Sequence, residues 1–346
     1  MSGVQKVAIE AEEAGQRLDR WFRQRFPQVT QGRLEKWLRK GEVRLDGKRA
    51  RSASRIEAGQ IVRIPPLPAA DSARPPSSPK RQKLSAAEAA ELKARVLYSD
   101  DTVIAFDKPA GLAVQGGSGQ SRHLDGMLEA LKLGAAERPR LVHRLDKDTA
   151  GVLLLARTAA SARDLTAAFR AKTTQKIYWA LLSGVPRQKR GLIDLPLAKR
   201  QTGAGEAMAP AEEEGKPAQT LFRIVQTYKD RLAWVVLMPL TGRTHQLRVH
   251  CAALGTPIVG DGKYGGRAAF PDKPGLPKTL HLLARELALP HPEDGTTLRV
   301  VAALPPHMAE SWEVLGFDLA RGDAALDGLL SYAEGLSHSP RRGRGV

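Results

Sequence analysis

The segment 141–157, LVHRLDKDTAGVLLLAR, places a group of ionisable side chains directly before an apolar run. The group consists of His143, Arg144, Asp146, Lys147 and Asp148. Loops that leave a rigid strand are where catalytic groups concentrate. Asp146 has basic neighbours on both sides along the chain, which would keep its carboxyl ionised as a nucleophile or base. HRLDKD alone, however, favours the plainer interpretation of a salt-bridged turn.

A second polar cluster occupies 240–266, LTGRTHQLRVHCAALGTPIVGDGKYGG. Its basic side chains lie on a predicted helix that begins near Thr244, and they are Arg243, His245, Arg248 and His250. His245 and Arg248 share a face because they are three residues apart. The helix fits either phosphate and carboxylate contacts or a solvated basic face. The two histidines, five residues apart, do not stack on one face, and no carboxylate completes a metal site.

Strand-like runs dominate residues 96–318, with helical patterns at 123–133, 159–171 and 243–254. Neighbouring strands joined by short turns predict an α+β domain with a mixed, mostly antiparallel β-sheet. In KIYWA, Tyr178 and Trp179 point to opposite faces of one strand, so one of them enters the core. QGGSG at 115–119 lacks the Lys-Ser/Thr of a phosphate loop. We therefore expect no cofactor and no metal.

Residues 15–64 form a small unit with its own pattern. Two apolar series at helical spacing predict two helices, with Thr30 capping the second, and Asp46-Gly47 predicts a hairpin turn. The unit carries 14 Lys and Arg against 5 Asp and Glu, a net charge of +9 out of +17 for the 346-residue chain. A basic face concentrated in this way favours contacts with nucleic-acid phosphates.

Composition predicts the remaining organisation. Residues 65–84, rich in Pro, Ser and Ala, read as a flexible linker, 201–218 as a mobile loop and 319–346 as a disordered basic tail. The single cysteine, Cys251, excludes an intramolecular disulfide framework. The strongest apolar stretch, GVLLLA at 151–156, is far shorter than the ~20 residues of a membrane span. We expect a cytoplasmic protein, monomeric and without a membrane partner.

Taken together, these motifs resemble the RluA family of RNA pseudouridine synthases. HRLDKDTAG resembles the family signature His-Arg-Leu-Asp-x-x-Thr-Ser-Gly, with Ala150 where Ser is usual. VIAFDKPAGLAV, KIYWALLSG, GRTHQLRVH and LHLLARELALPHP follow the family's order. Residues 15–64 are similar to the alpha-L RNA-binding module. RKGEVRLDGKR and AGQIVRIPP are closest to the RluC-type enzymes that act on large-subunit ribosomal RNA.

The resemblance implies a pseudouridine synthase catalytic domain over 96–318. It implies that Asp146 is the catalytic aspartate, that Tyr178 stacks on the target base, and that Arg248 pairs with Asp146, which we expect to be a bidentate pair. It also implies that Arg144 fills the gap left by an extruded nucleotide. The residues expected to contact RNA are Arg144, His143, Arg243, His245, Arg33, Lys36, Arg39, Lys40 and Arg44.

The reaction implied is isomerisation of uridine to pseudouridine in RNA, with large-subunit ribosomal RNA as the favoured substrate. Three alternatives stay open: the same reaction on transfer RNA, a non-catalytic RNA-binding factor, and a glycosidic hydrolase. The hydrolase would use Asp146 and Asp148 as paired carboxylates, but Lys147 between them fits poorly.

Overall fold

The computed structural model describes residues 3–67, 84–116, 122–171, 173–203 and 205–338. The expected linker lies largely outside these residues, and so do residues 117–121 and the end of the chain after 338. The chain divides into two compact units, Met1–Lys80 and Arg81–Val346.

The first unit combines two helices with a small sheet. Its elements are β1 (Gln5–Ala8), α1 (Leu18–Arg25), α2 (Gln31–Lys40), β2 (Arg44–Leu45), β3 (Lys48–Arg49) and β4 (Ile61–Ile64). The strands pair antiparallel in the order β1-β4-β2-β3. The Thr30 side chain accepts a hydrogen bond from the Arg33 N–H at 3.3 Å, so the predicted cap of α2 is confirmed. Strand β1 precedes residue 15, where the sequence pattern placed the start of this unit.

The two predicted apolar series form the core of the first unit. They are all buried: Leu18, Trp21, Phe22, Phe26, Leu34, Trp37 and Leu38. Since these residues hold one face of each helix inward, the basic residues between them are left on the outside. The side chains of the first unit that are expected to contact RNA are all exposed: Arg33, Lys36, Arg39, Lys40 and Arg44.

The second unit is built on a ten-stranded sheet. Its strands are β5 (Val96–Ser99), β6 (Val103–Lys108), β7 (Arg140–Leu141), β8 (Ala150–Ala156), β9 (Gln175–Ser183), β10 (Arg190–Asp194), β13 (Gln219–Tyr228), β14 (Leu232–Pro239), β15 (Leu282–Pro290) and β16 (Thr297–Val301). A separate hairpin is formed by β11 (Leu197–Thr202) and β12 (Gly205–Pro210). The helices are α3 (Ala86–Ala94), α4 (Leu124–Met127), α5 (Ala159–Ala171), α6 (Gln246–Ala253), α7 (Gly262–Gly265), α8 (Pro306–Leu315) and α9 (Ala320–His338).

The sheet order is β10-β13-β14-β9-β15-β8-β6-β5, with β16 beside β15 and β7 beside β8. Within the described residues, β15 and β8 form the one parallel pair, and the other pairs are antiparallel. The predicted mixed, mostly antiparallel α+β fold is therefore confirmed. Trp179 is buried on one face of β9 and stacks edge-on against Trp234 at 4.8 Å.

Two expectations about irregular segments are wrong. Residues 320–338 form helix α9, which packs on β13 and β14 through buried Leu326 and Leu329, so this part of the tail is ordered. The loop expected at 201–218 contains strand β12 of the hairpin.

Candidate active site

A cavity of about 720 Å³ opens where several elements of the second unit end. Its walls include the loop before β8, the first half of β9, the loop after β14 and the start of α6. All seven site residues predicted within this unit line it: His143, Arg144, Asp146, Tyr178, Arg243, His245 and Arg248. Two segments separated by about 100 residues of sequence thus meet in one place, because the sheet order β14-β9-β15-β8 places the end of β14 and the start of β8 at the level of Tyr178.

The loop that carries Asp146 is held by its backbone. The Lys147 carbonyl accepts hydrogen bonds from the Lys108 ammonium at 2.8 Å and from the Gly111 N–H at 3.0 Å. Gly151 follows at the start of β8 with φ +107°, and a Cβ there would lie 2.2 Å from the Ala284 carbonyl oxygen. A side chain at this position would therefore push β8 away from β15 and displace the loop.

Lys108 is fully buried at the end of β6 and was not singled out from the sequence. Its Nζ donates to three carbonyl oxygens, those of Pro109 and Leu112 at 2.9 Å and Lys147 at 2.8 Å. Burial lowers the pKa of this amine to about 7, although the charges of Asp148 and Asp146 act in the opposite direction. The signal in the sequence was a lysine at the end of a strand whose first four residues are apolar.

The Asp146 side chain lines the cavity and is 27% exposed. His245 Nε2 is 3.7 Å from Asp146 Oδ1. Tyr178 projects into the same cavity from β9, and burial, with the nearby charge of Asp146, raises the pKa of its phenol. The phenol is therefore protonated at neutral pH and can donate a hydrogen bond.

Arg248 does not form the bidentate pair with Asp146 that the sequence analysis expected. Its Nε and Nη2 instead donate to the two carboxylate oxygens of Asp261 at 2.8 and 2.7 Å. Both side chains are buried, and Asp261 follows Gly260, where φ is +81° and a Cβ would lie 2.1 Å from the Thr279 carbonyl. Burial alone would lower the pKa of Arg248, but the hydrogen bonds and charge of Asp261 raise it.

Gln246, also missed, fixes the turn before α6. Its side-chain oxygen accepts from the Thr241 hydroxyl at 2.7 Å and the Arg243 N–H at 3.0 Å, and its amide donates to the Gln219 carbonyl and the Thr220 hydroxyl. A buried amide with all four of these partners is a rigid anchor. His245, directly before it, takes up the left-handed conformation with φ 54° and ψ 20°. Strained backbone of this kind is concentrated at functional sites.

The structure changes the role expected of His143. Its ring stacks on Phe169 at 4.3 Å, and its Nε2 accepts the Leu154 N–H at 2.8 Å. Burial, with a smaller effect of Lys176, lowers its pKa to about 3. A neutral ring bonded to the backbone cannot act as a cationic phosphate contact. Arg144, in contrast, is exposed at the cavity rim and is available to a ligand.

Within the ranges that the structure describes, no group of three or more His, Cys, Asp or Glu side chains is arranged to hold a metal ion. No helix among those residues combines the length and apolar character that a membrane crossing requires.

Comparison with known proteins identifies the family of this chain. Residues 102–253 match the RNA pseudouridylate synthase family. The chain is 39% identical over 325 residues to ribosomal large subunit pseudouridine synthase C of Salmonella typhi, covering 90% of this chain and 97% of that protein. It is 37% identical to the protein of the same name from Pasteurella multocida, over 88% of this chain and 92% of the relative. The chain belongs to the RNA pseudouridylate synthase family.

A solved structure supports the same assignment. Human RNA Pseudouridylate Synthase Domain Containing 4 superposes with a TM-score of 0.57 and 30% sequence identity. The match covers 67% of this chain and 96% of the human chain.

Proposed function

We propose that this protein isomerises uridine to pseudouridine in large-subunit ribosomal RNA, with Asp146 as the catalytic carboxylate. The observation that carries the proposal is the position of Asp146 in a cavity of about 720 Å³ that also receives Tyr178, Arg144 and His245, in a member of this family. The substrate is supported by relatives of 37–39% identity that are named as large-subunit enzymes.

The chemistry requires a carboxylate and an enclosed site rather than an external reactant. The bond between N1 of uracil and C1′ of ribose breaks, the base turns, and C5 bonds to C1′. C5 then loses its proton to solvent and N1 gains one, so the atoms balance without an oxidant or a reductant. Asp146, as an ionised oxygen nucleophile or base, acts on the nucleotide while the base is detached.

A uridine in folded RNA must leave its stack to reach Asp146, which costs a few kcal/mol. Tyr178 offers a ring face for the extruded base, and Arg144 is a planar cation that suits the vacated position in the stack. Arg248 keeps a charge beside the cavity but is oriented by Asp261, so its interaction with Asp146 is electrostatic and acts over a longer distance.

The first unit would bind RNA phosphates through the exposed cations on and beside α2. The five expected residues are exposed, although Arg44 also donates to the carbonyls of Gly41 and Gly47. Lys40 Nζ lies 3.8 Å from Glu42 Oε1 in a weak, exposed ion pair, so an RNA phosphate can take the place of the Glu42 carboxylate.

The decisive experiment measures tritium release from RNA that carries uridine labelled at C5. Asp146→Asn should abolish release while RNA affinity stays within about twofold of wild type. Asp148→Asn is the matched control, because Asp148 belongs to the same loop, is exposed and does not line the cavity. Turnover by Asp146→Asn would remove this residue from its role. Release of free uracil by the wild type would instead support the paired-carboxylate hydrolase.

The substrate is tested separately with a carbodiimide map of pseudouridines in a strain that lacks the protein. Sites should disappear from large-subunit ribosomal RNA and persist in transfer RNA. The opposite pattern would move the same reaction to transfer RNA. Persistence of every site would leave the alternative of a non-catalytic RNA-binding factor.

The role of the first unit is tested by replacing Arg33, Lys36, Arg39 and Lys40 with glutamine. For every cation that binds a phosphate in the wild type, its replacement should flatten the slope of log affinity against log salt by about 0.7 to 0.9. An unchanged slope would mean that these cations do not contact phosphates.

A further inference from the structure

We infer that Tyr264, which lies outside the cavity lining, is a positioning residue that holds His245 in the tautomer with its N–H directed at Asp146. The inference rests on the proposed function, because it assigns a partner to the carboxylate proposed to be catalytic. It depends on three contacts that run from the β11–β12 hairpin to Asp146.

The first contact fixes Tyr264 as a hydrogen-bond acceptor on one side. The backbone N–H of Met208, in β12, donates to the Tyr264 hydroxyl oxygen at 3.3 Å. A backbone amide cannot accept in that position, so the hydroxyl proton of Tyr264 remains available for another partner.

In the second contact, the Tyr264 hydroxyl directs that proton at the His245 ring. The Tyr264 hydroxyl lies 2.5 Å from His245 Nδ1, with the two rings edge to face at 5.5 Å. Burial raises the pKa of the Tyr264 phenol, which keeps it protonated, and burial lowers the pKa of His245, which keeps the ring neutral near pH 7. A neutral imidazole has one N–H, so a hydroxyl that donates to Nδ1 leaves the hydrogen on Nε2.

The third contact shows why the opposite tautomer is unfavourable. Nε2 faces the Asp146 carboxylate at 3.7 Å. With hydrogen on Nδ1 instead, the Nε2 lone pair would face the carboxylate oxygen and repel it. With hydrogen on Nε2, the same geometry is attractive and needs only a few tenths of an ångström of movement to become a hydrogen bond, as catalytic contacts often do when substrate binds.

The surrounding structure fixes the positions of these groups. The left-handed backbone of His245 and the Gln246 anchor set the imidazole at the cavity wall. Asp261 accepts the Tyr264 N–H at 3.3 Å and, through Arg248, ties the tyrosine to α6. The Tyr264 ring also covers the Arg248 guanidinium at 5.1 Å, so its removal would disturb more than one contact unless only the hydroxyl is changed.

The test therefore uses Tyr264→Phe, which keeps the ring and deletes the hydroxyl. Long-range ¹H–¹⁵N correlation spectra of the histidine rings distinguish the protonated from the unprotonated nitrogen. We expect His245 to carry hydrogen on Nε2 in the wild type and a mixture of tautomers in Tyr264→Phe. kcat should fall about tenfold, as for the loss of one hydrogen bond, with KM within twofold. Tyr228→Phe, at the far end of β13, is the matched control and should change neither.

A double variant separates action through His245 from a general structural effect. His245→Asn suits the left-handed backbone but removes Nε2, and adding Tyr264→Phe to it should lower kcat no further. The inference is overturned if wild-type His245 carries hydrogen on Nδ1, or if Tyr264→Phe lowers kcat with the tautomer unchanged. It is also overturned if the two effects on kcat multiply. The spectra need no RNA, so an inactive wild type would count against the proposed function and not against the tautomer.

Discussion

Replacing Asp261 with asparagine tests whether the pair between Arg248 and Asp261 holds the wall of the cavity. Asparagine keeps the shape of the side chain, so the main change is the loss of the charge that compensates a buried guanidinium. Arg248 is 8% exposed and Asp261 1% exposed, which means that solvent can replace little of the interaction.

The expected magnitude follows from the two hydrogen bonds. Each charge-assisted bond contributes roughly 1.5–3 kcal/mol, and breaking a buried pair by removing one partner costs about 3–5 kcal/mol. The asparagine oxygen can still accept one of the two bonds, so Asp261→Asn should cost about 3 kcal/mol. Asp261→Ala should cost more, since the Tyr264 N–H also loses its acceptor.

Native-state hydrogen exchange in urea measures this cost within the second unit, because peptides from β8 and β14 report its opening separately from that of the first unit. Combining Asp261→Asn with Arg248→Met should cost less than the sum of the single changes, because no buried charge is left unpaired. A cost below about 1 kcal/mol for Asp261→Asn, or additive effects, would refute the argument that this pair supports the site.

Two further predictions concern buried groups of the second unit. Lys108→Met should lower the free energy of unfolding by about 3 kcal/mol in the same exchange experiment, since three carbonyls lose the hydrogen bond from this ammonium and, among the described residues, only that of Lys147 keeps a second donor, the Gly111 N–H. A cost near zero would mean that water replaces the ammonium. Burial lowers the pKa of His281 to about 4. Below the ordinary His pKa of about 6.5, the unfolded chain therefore takes up a proton that the folded chain does not. As the pH decreases from about 6.5 towards 4, the free energy of unfolding should decrease by about 1.4 kcal/mol per pH unit. His281→Asn should therefore reduce the stability difference between about pH 6.5 and pH 4.5 by about 2–3 kcal/mol in urea unfolding, whereas an unchanged difference would contradict the buried neutral state.

The sequence predicted the α+β class and several strands, because the predicted strands are short, mostly apolar segments bounded by turn residues. One example is KIYWA at 176–180, which lies within β9. The sequence pattern missed β11 (LAKRQT) and β12 (GEAMAP), because the hairpin is largely exposed and neither segment shows the alternation of apolar and polar residues that marks a half-buried strand. Helix α9 was missed because its few buried leucines are interspersed with Ala, Gly and charged residues, which gives a weak helical signal.

The candidate site was predicted as a set of residues but not as a set of contacts. Asp146, Tyr178 and Arg248 do line one cavity, yet the partner of Arg248 is Asp261, thirteen residues further along the chain. Charge types along a sequence do not determine which of two carboxylates a guanidinium reaches. That choice depends on the left-handed turn at Gly260, which the sequence GDGKYGG permits but does not specify.

Among the residues that the structure describes, the hydrogen bonds around Asp146 hold its backbone, and no lysine or arginine forms an ion pair with its carboxylate. Lys108 and Gly111 bind the carbonyl of Lys147, the residue after Asp146. The guanidinium of Arg248 is bound to Asp261 instead. A carboxylate locked in a bidentate ion pair would lose nucleophilicity and basicity, and it would have to break that pair to react. Fixing the backbone and leaving the oxygens to a neutral imidazole at 3.7 Å avoids this conflict. Variants at Lys108 should accordingly misplace the carboxylate, whereas variants at Tyr264 should change the group that faces it.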